Sequence, residues 1–235
     1  MLFSPQIPLP LEPARPDRFE DFVPGPNEPI VLALKQMLDE PGGSVFLSGP
    51  SGSGKSHLLN ALCHAAREND LVAFYLSLKN QPDDVADSLR GLQSMDLVCL
   101  DDLDSVAGRQ AWETALFRCF NELRAAGGRL VVGSGQPLSR LSFGLPDLES
   151  RLAWGLRLKL EPVTDDDKLL IIRNRALALG VELPGDVQRY LIKHSKRDMD
   201  SLLLAVERLK QGAIVAKRRI TVPLAREIIA PENDT

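Results

Sequence analysis

Aromatic residues make up only 5% of the 235-residue sequence, and positive charge is not in surplus: 28 lysines and arginines stand against 32 aspartates and glutamates, a net charge of −4. An acidic balance gives no general electrostatic grip on DNA or on an anionic membrane, although a local basic patch remains compatible with it. Scarce aromatics likewise leave no stacking track for a single-stranded nucleic acid. No apolar run approaches the ~18 residues of a membrane span, and the first residues lack the basic flank and apolar core of a signal peptide. A cytoplasmic protein with no membrane partner is expected. The three cysteines, Cys63, Cys99 and Cys119, are odd in number and lack metal-ligand spacing. They read as small buried hydrophobes in a reducing compartment. His57, His64 and His194 are scattered, without the carboxylate or cysteine pattern of a metal site.

What is present begins with an apolar strand, Val45-Phe46-Leu47-Ser48, running into Gly49-Pro50-Ser51-Gly52-Ser53-Gly54-Lys55-Ser56-His57. The spacing G-x-x-x-x-G-K-S is that of a phosphate-binding loop. Glycines 49, 52 and 54 permit positive φ and leave no side chain in the way, so successive N–H groups can turn inward around phosphate oxygens. Lys55 reaches the β- and γ-phosphates, and the Ser56 hydroxyl is placed for Mg²⁺. The helix that follows, with Leu58, Leu59, Leu62 and Ala65 near one face, aims its positive end at the same anion. The loop alone also suits a transporter ATPase or a small-molecule kinase.

The remainder of the chain divides into three parts. Residues 1–17 carry Pro5, Pro8, Pro10, Pro13 and Pro16, which exclude a helix or a central strand and predict an extended tail. Within it Gln6-Ile7-Pro8-Leu9-Pro10-Leu11 presents apolar side chains on a stiff backbone suited to a groove. Residues 18–161 alternate strand and helix. We place strands at Val45–Ser48, Val72–Leu76, Leu97–Leu100, Leu130–Gly133 and Leu156–Leu160, with helices near Pro29–Leu38, Ser56–Glu68, Pro82–Gly91, Gln110–Ala126 and Pro146–Ala153. Short apolar strands separated by helices predict an α/β fold, a parallel sheet covered on both faces, with ligands at the carboxyl ends of strands. Residues 162–235 are expected to be all-helical: Thr164 followed by Asp165-Asp166-Asp167 starts a helix that Gly180 ends, and others follow near Pro184–His194, Met199–Ala216 and Pro223–Ala230.

Leu97-Val98-Cys99-Leu100-Asp101-Asp102 is an apolar strand ending in paired acids. Beside a phosphate loop, Asp101 is placed to hold Mg²⁺ and Asp102 to orient an attacking water; capping of the following turn is the alternative for the pair. Phe19, Phe22 and Val23 before the Pro24-Gly25-Pro26-Asn27 turn either cap the core or line a base pocket, since adenine needs apolar faces.

Four stretches, Phe19 to Asn27, Gly54 to Ala61, Asp101-Asp102, and Ser150-Arg151-Leu152-Ala153-Trp154-Gly155-Leu156, resemble successive boxes of the DnaA-related AAA+ P-loop ATPases. The resemblance spans about residues 18 to 232. An ATPase module of this type with a short helical lid and a Gln-x-x-Leu-Pro-Leu tail is similar to the Hda family, regulatory inactivators of DnaA, whereas DnaA itself continues into a helix-turn-helix domain. It implies a five-stranded AAA+ core, ADP or ATP with Mg²⁺ as cofactors, and a nucleotide site made by Phe22, Val23, Asn27, Gly49 to His57, and Arg197 as second sensor. The implied partners are DnaA and the DNA polymerase III sliding clamp (β subunit), gripped by Gln6, Ile7, Leu9, Pro10 and Leu11, with DNA met only through the clamp. Arg151 matches the family's arginine finger, which reaches a neighbouring subunit's nucleotide and leaves room for a homo-oligomer; a surface ion pair with Asp147 or Glu149 is the alternative. For Arg197 the alternative is a helix-start charge. Gly135 departs from the family's usual sensor aspartate, which implies weak or no hydrolysis by the chain itself, with Ser134 a partial substitute.

A helicase loader of the same superfamily would need a basic, aromatic strand-tracking surface, and Lys217-Arg218-Arg219 is the only compact basic run. A transporter ATPase would need a Leu-Ser-Gly-Gly signature, which is absent. A kinase would be expected to carry an arginine-rich lid where this chain is helical.

Overall fold

The computed structural model describes residues 17–195 and 198–229. The tail positions Gln6 to Leu11, and Arg197, lie outside them. Five strands, β1 (Ser44–Ser48), β2 (Ala73–Ser77), β3 (Leu97–Asp101), β4 (Arg129–Ser134) and β5 (Leu156–Lys159), alternate with α1 (Glu28–Gln36), α2 (Lys55–Glu68), α3 (Gln110–Ala125) and α4 (Pro146–Ala153). Four helices follow: α5 (Asp165–Ala178), α6 (Gly185–His194), α7 (Met199–Ala216) and α8 (Val222–Ile229). The sheet is parallel throughout, in the order β2-β3-β4-β1-β5.

Successive side chains of a strand point to opposite faces, and here both faces are used. Phe46, Val98, Leu100, Leu130 and Val132 pack with Leu116, Phe120 and Leu123 of α3 and with Leu148 and Leu152 of α4. Val45, Leu47, Leu97, Cys99 and Val131 pack on the other side with Leu34 of α1 and Leu58, Leu59 and Leu62 of α2. At roughly 1.5–3 kcal/mol for each fully buried aliphatic side chain, these two layers outweigh any local propensity. Coverage on both faces holds for β1, β3 and β4. β5 is an edge strand with Leu156, Arg157 and Lys159 exposed.

The helix expected over Pro82–Gly91 is a correction: the segment forms 3₁₀ turns at Asp83–Leu89 and Leu92–Ser94. Its buried residues are Ala86, Leu89 and Leu92, three apart. That is the 3₁₀ period, and Asp83, Asp84 and Asp87 beside them leave no wider apolar stripe for an α-helix.

After β5, α5 to α8 build a third cluster around Ile172, Leu191, Leu202, Val206 and Leu209. Thr164 begins α5 with a reciprocal cap: its Oγ1 accepts from the Asp167 N–H at 3.1 Å, and the Asp167 carboxylate accepts from the Thr164 N–H at 3.1 Å. Asn27 ties the turn before α1 to the connection after β5, accepting from the Glu161 N–H at 2.8 Å and donating to the Glu161 carbonyl at 3.3 Å. Among the described residues no helix is long and apolar enough to cross a membrane.

Candidate nucleotide site

β1 is bordered by β4 and β5, so the loop leaving its carboxyl end opens into space at the top of the sheet. Gly54 sits there with φ of 92°, and a Cβ on it would fall 2.5 Å from the Phe22 ring. Only glycine satisfies both the backbone and the ring. The loop then feeds α2, whose first residue is Lys55.

Lys55 is 8% exposed, and its Nζ donates to the Gly49 carbonyl at 2.9 Å and the Pro50 carbonyl at 3.1 Å. Two of three ammonium protons are thus spent on the loop, and among the described residues no carboxylate pairs with the ammonium. Such a buried cation suits an anion delivered to the loop. Ser53 Oγ is buried and has no hydrogen-bond partner among the described residues, the kind of orphan that an incoming polar ligand satisfies.

The Ser56 hydroxyl donates to Asp101 Oδ2 at 2.5 Å, joining the start of α2 to the end of β3. Asp101 is fully buried, and its Oδ1 accepts from the Asp102 N–H at 2.9 Å. Gly133 on the neighbouring strand makes room, because a Cβ there would collide with the Asp101 carboxylate. The Tyr75 hydroxyl donates to Asp101 Oδ2 at 3.3 Å. Burial first, then the Asp101 charge and hydrogen bond, push the Tyr75 phenol well above its ordinary value, so it stays a donor. A hydroxyl and a carboxylate in contact form a hard oxygen donor pair that fits Mg²⁺.

Phe22, Val23, Ser51, Gly52, Ser53, Gly54, Lys55, Ser56, His57 and Asp102 line one cleft of about 260 Å³. Val163, Ile171, Met199, Asp200 and Leu203 close it from the helical side, and Lys79 reaches it from β2. Asp102 holds left-handed backbone at φ 58° and accepts from Ser77 Oγ at 2.7 Å. Phe22 lies against His57 at the cleft, ring centroids 5.7 Å apart and planes tilted by 30°, while Phe19 is buried in the core. Burial disfavours the charged form of His57, yet the hydrogen bond and charge of Asp17, with the Arg18 carbonyl and the Asp21 charge, leave its pKa raised above 6.5.

Of the predicted loop, Gly49 and Pro50 lie behind the cleft as acceptors for Lys55, and Asn27 and Arg151 stand apart from it. Asn27 is buried and committed to the Glu161 backbone. Arg151 lies on α4, its guanidinium over Trp154 at 4.1 Å from the ring centroid, with no ion pair to Asp147 or Glu149 among the described residues. Gly135 follows β4, and its N–H donates to Asp104 Oδ1 at 2.7 Å, where Ser134 Oγ also donates at 3.2 Å. A carboxylate therefore stands beside Gly135 from the β3 side.

Sequence reasoning passed over Tyr75, Ser77, Lys79 and Asp104 and all the cleft residues from the helical segment. Tyr75 and Ser77 alternate on β2 toward the paired acids, a signal available once β2 and β3 are neighbours. The cysteines are buried as expected: burial holds Cys99 well above its ordinary value and, with the Glu122 charge, pushes Cys119 up to about 11.

A larger cavity of about 410 Å³ opens at the other end of the sheet, against Phe120, Leu123, Arg124, Trp154 and Leu156. Its walls are mainly apolar, and the loop cation and paired acids converge on the smaller cleft.

The fold is shared with domain III of the replication initiation protein DnaA from Thermotoga maritima, at 26% identity and a TM-score of 0.78, covering 94% of this chain and 100% of that one. AMPPCP-bound DnaA from Aquifex aeolicus is similar at 23% identity and a TM-score of 0.69, over 86% of this chain and 68% of that chain. The Holliday junction branch migration motor RuvB of Thermotoga maritima has 21% identity and a TM-score of 0.68, over 92% and 72%. The family model of the bacterial DnaA ATPase domain matches residues 14–159, and that of the Hda lid domain matches residues 165–229. The chain belongs to the DnaA-related AAA+ ATPases, as an Hda-like member in which a DnaA-type ATPase domain is followed by an Hda lid.

Proposed function

We propose that the protein binds an adenine nucleotide in the cleft and stimulates ATP hydrolysis on DnaA with Arg151, while its tail holds it to the sliding clamp. The observation that carries this reading is the position of Arg151, which lies outside its own nucleotide cleft and makes no ion pair with Asp147 or Glu149. A guanidinium so placed is available to a phosphate on another molecule. Delivered to a transferring γ-phosphoryl group, it stabilises charge that develops in the transition state, an effect of ~10³–10⁵ in rate in other arginine-finger systems.

The nucleotide fits the residues present. The loop N–H groups and Lys55 take the phosphates, Phe22 and Val23 give the base apolar contact, and Arg197 would report on the phosphates from the lid. Ser56 and Asp101 would hold Mg²⁺, which when bound supplies charge neutralisation across the phosphates. Lys55 binds and orients the chain's own nucleotide, which sets the relation of sheet to lid. The relative bound to AMPPCP supports an adenine nucleotide; ADP is the form we assign to the active state. Gly135 in place of a sensor aspartate, with Asp102 held by Ser77, supports weak intrinsic turnover. The tail residues Gln6, Ile7, Leu9, Pro10 and Leu11 are assigned to the clamp, with the leucines in an apolar pocket and Gln6 bonding at its edge.

The test is ATP hydrolysis by DnaA, with and without this protein and with and without DNA-loaded clamp. Arg151→Ala is expected to abolish stimulation with clamp binding retained, and deletion of residues 1–11 to remove clamp capture without unfolding the domain. Full stimulation by Arg151→Ala would refute the mechanism.

A further inference from the structure

Trp154 is 56% exposed, an unusual place for so large an apolar side chain. Two guanidinium groups lie on its ring: that of Arg151, 4.1 Å from the centroid, and that of Arg124, 4.5 Å away. Both are well inside the ~6 Å reach of a cation–π contact. The platform is built by one face of α3, where Phe117, Phe120 and Arg124 recur at i, i+3 and i+7. Phe120 meets Trp154 edge-on at 6.5 Å and 72°, and Phe117 lies 5.9 Å from the Arg151 guanidinium.

We infer that Trp154 is the positioning residue for Arg151. The inference rests on the proposed action of Arg151 on a partner's nucleotide. A long arginine side chain free in solvent samples many rotamers, and fixing it opposes catalysis. A carboxylate would order it but would occupy the in-plane N–H donors that a phosphate needs. Stacking on an aromatic face orders the guanidinium and leaves those donors open. Arg124 adds like charge on the same ring, which disfavours the pair at rest and favours transfer of Arg151 to an anion. Trp154 thus keeps the finger ordered and loosely held.

The test uses the full-length chain with DnaA, ATP and DNA-loaded clamp, titrating the chain to separate the maximal stimulated rate from the concentration giving half of it. Trp154→Met, which removes the ring, is expected to lower the maximal rate about 2- to 30-fold, the range of one lost cation–π contact, and to leave the half-maximal concentration unchanged. Trp154→Phe is expected to restore most of the rate. In these variants the buried Trp112 is the remaining tryptophan, and its unchanged emission reports an intact core. In the unsubstituted ring background, Arg151→Ala is expected to shift the Trp154 indole N–H signal by NMR.

Wild-type stimulation by Trp154→Met, with Arg151→Ala inactive, overturns the positioning role and leaves the finger standing. Stimulation retained by Arg151→Ala overturns the finger and this role with it. Equal losses in the Met and Phe variants would reduce Trp154 to packing and also overturn it. Should Trp154→Met unfold by the Trp112 readout, an indole signal indifferent to Arg151→Ala overturns the inference, and a shift supports it.

Discussion

Ser56, Asp101 and Tyr75 are joined in one hydrogen-bonded set, with the Tyr75 and Ser56 hydroxyls both on Asp101 Oδ2. Two of the three were legible, because G-K-S and an apolar strand ending in aspartate are defined by spacing along the chain. Tyr75 was not, since only the pairing Tyr75 opposite Cys99 brings β2 beside that strand end. Gly135 shows the same limit. As a sequence it is a missing carboxylate; in the fold it is the partner of Asp104. A Cβ at 135 would lie 3.2 Å from Asp104 Oδ2. Gly135→Asp is therefore expected to destabilise the chain by ~1–3 kcal/mol in urea unfolding, through like charge and a disturbed hydrogen bond, and Asp104→Asn in that background to recover part of the loss.

His57 adds a pH dependence. Its folded pKa lies above the unfolded 6.5, so its charged contact with Asp17 stabilises the fold fully below about pH 6.5 and is lost as pH rises through the folded value. Asp17→Asn is expected to lower the His57 titration midpoint, followed by ring resonances in NMR; an unmoved midpoint would remove Asp17 as the cause.

At the scale of elements, most helices and all five strands were legible from apolar period and caps, and the exceptions have local causes. The Asp83–Leu89 segment follows a three-residue period that a helix pattern resembles. The span of α4 was legible at Pro146–Ala153, but the way its start is anchored to the fold was not. It depends on Glu113 of α3, a buried carboxylate that accepts from the Gly108 N–H at 2.7 Å, the Gly144 N–H at 3.1 Å and the Leu145 N–H at 2.8 Å. These bonds fix the chain leading into the helix that bears Arg151. Glu113→Ala would strand three backbone donors and is expected to cost ~3–5 kcal/mol in denaturant unfolding. Glu113→Gln retains acceptor capacity in one oxygen and should cost less.

At the scale of the molecule, the cleft is walled on one side by the loop and α2 and on the other by Val163, Ile171, Met199 and Leu203. A ligand there bridges the two cores and should stabilise both together. ADP at about a hundred times its Kd is expected to add ~2.7 kcal/mol, seen as a rise in Tm by calorimetry. Met199→Ala should shrink that rise while leaving the sheet folded, and an unchanged rise would place the nucleotide clear of the lid.

The phosphate loop, the paired acids, the alternation of strand and helix and the helical segment after them were determined by the sequence itself, because each is set by residues within a turn or two of one another. Strand order, the Asp101 network, the Asp104–Gly135 contact and the lid wall of the cleft join residues far apart in the chain. Hydrogen bonding and burial between those distant parts decided them, and no local pattern carries that information. Arg151 marks the boundary: a family box gave it a role on paper, and only the packed α3 face with Trp154 decided where its charge rests.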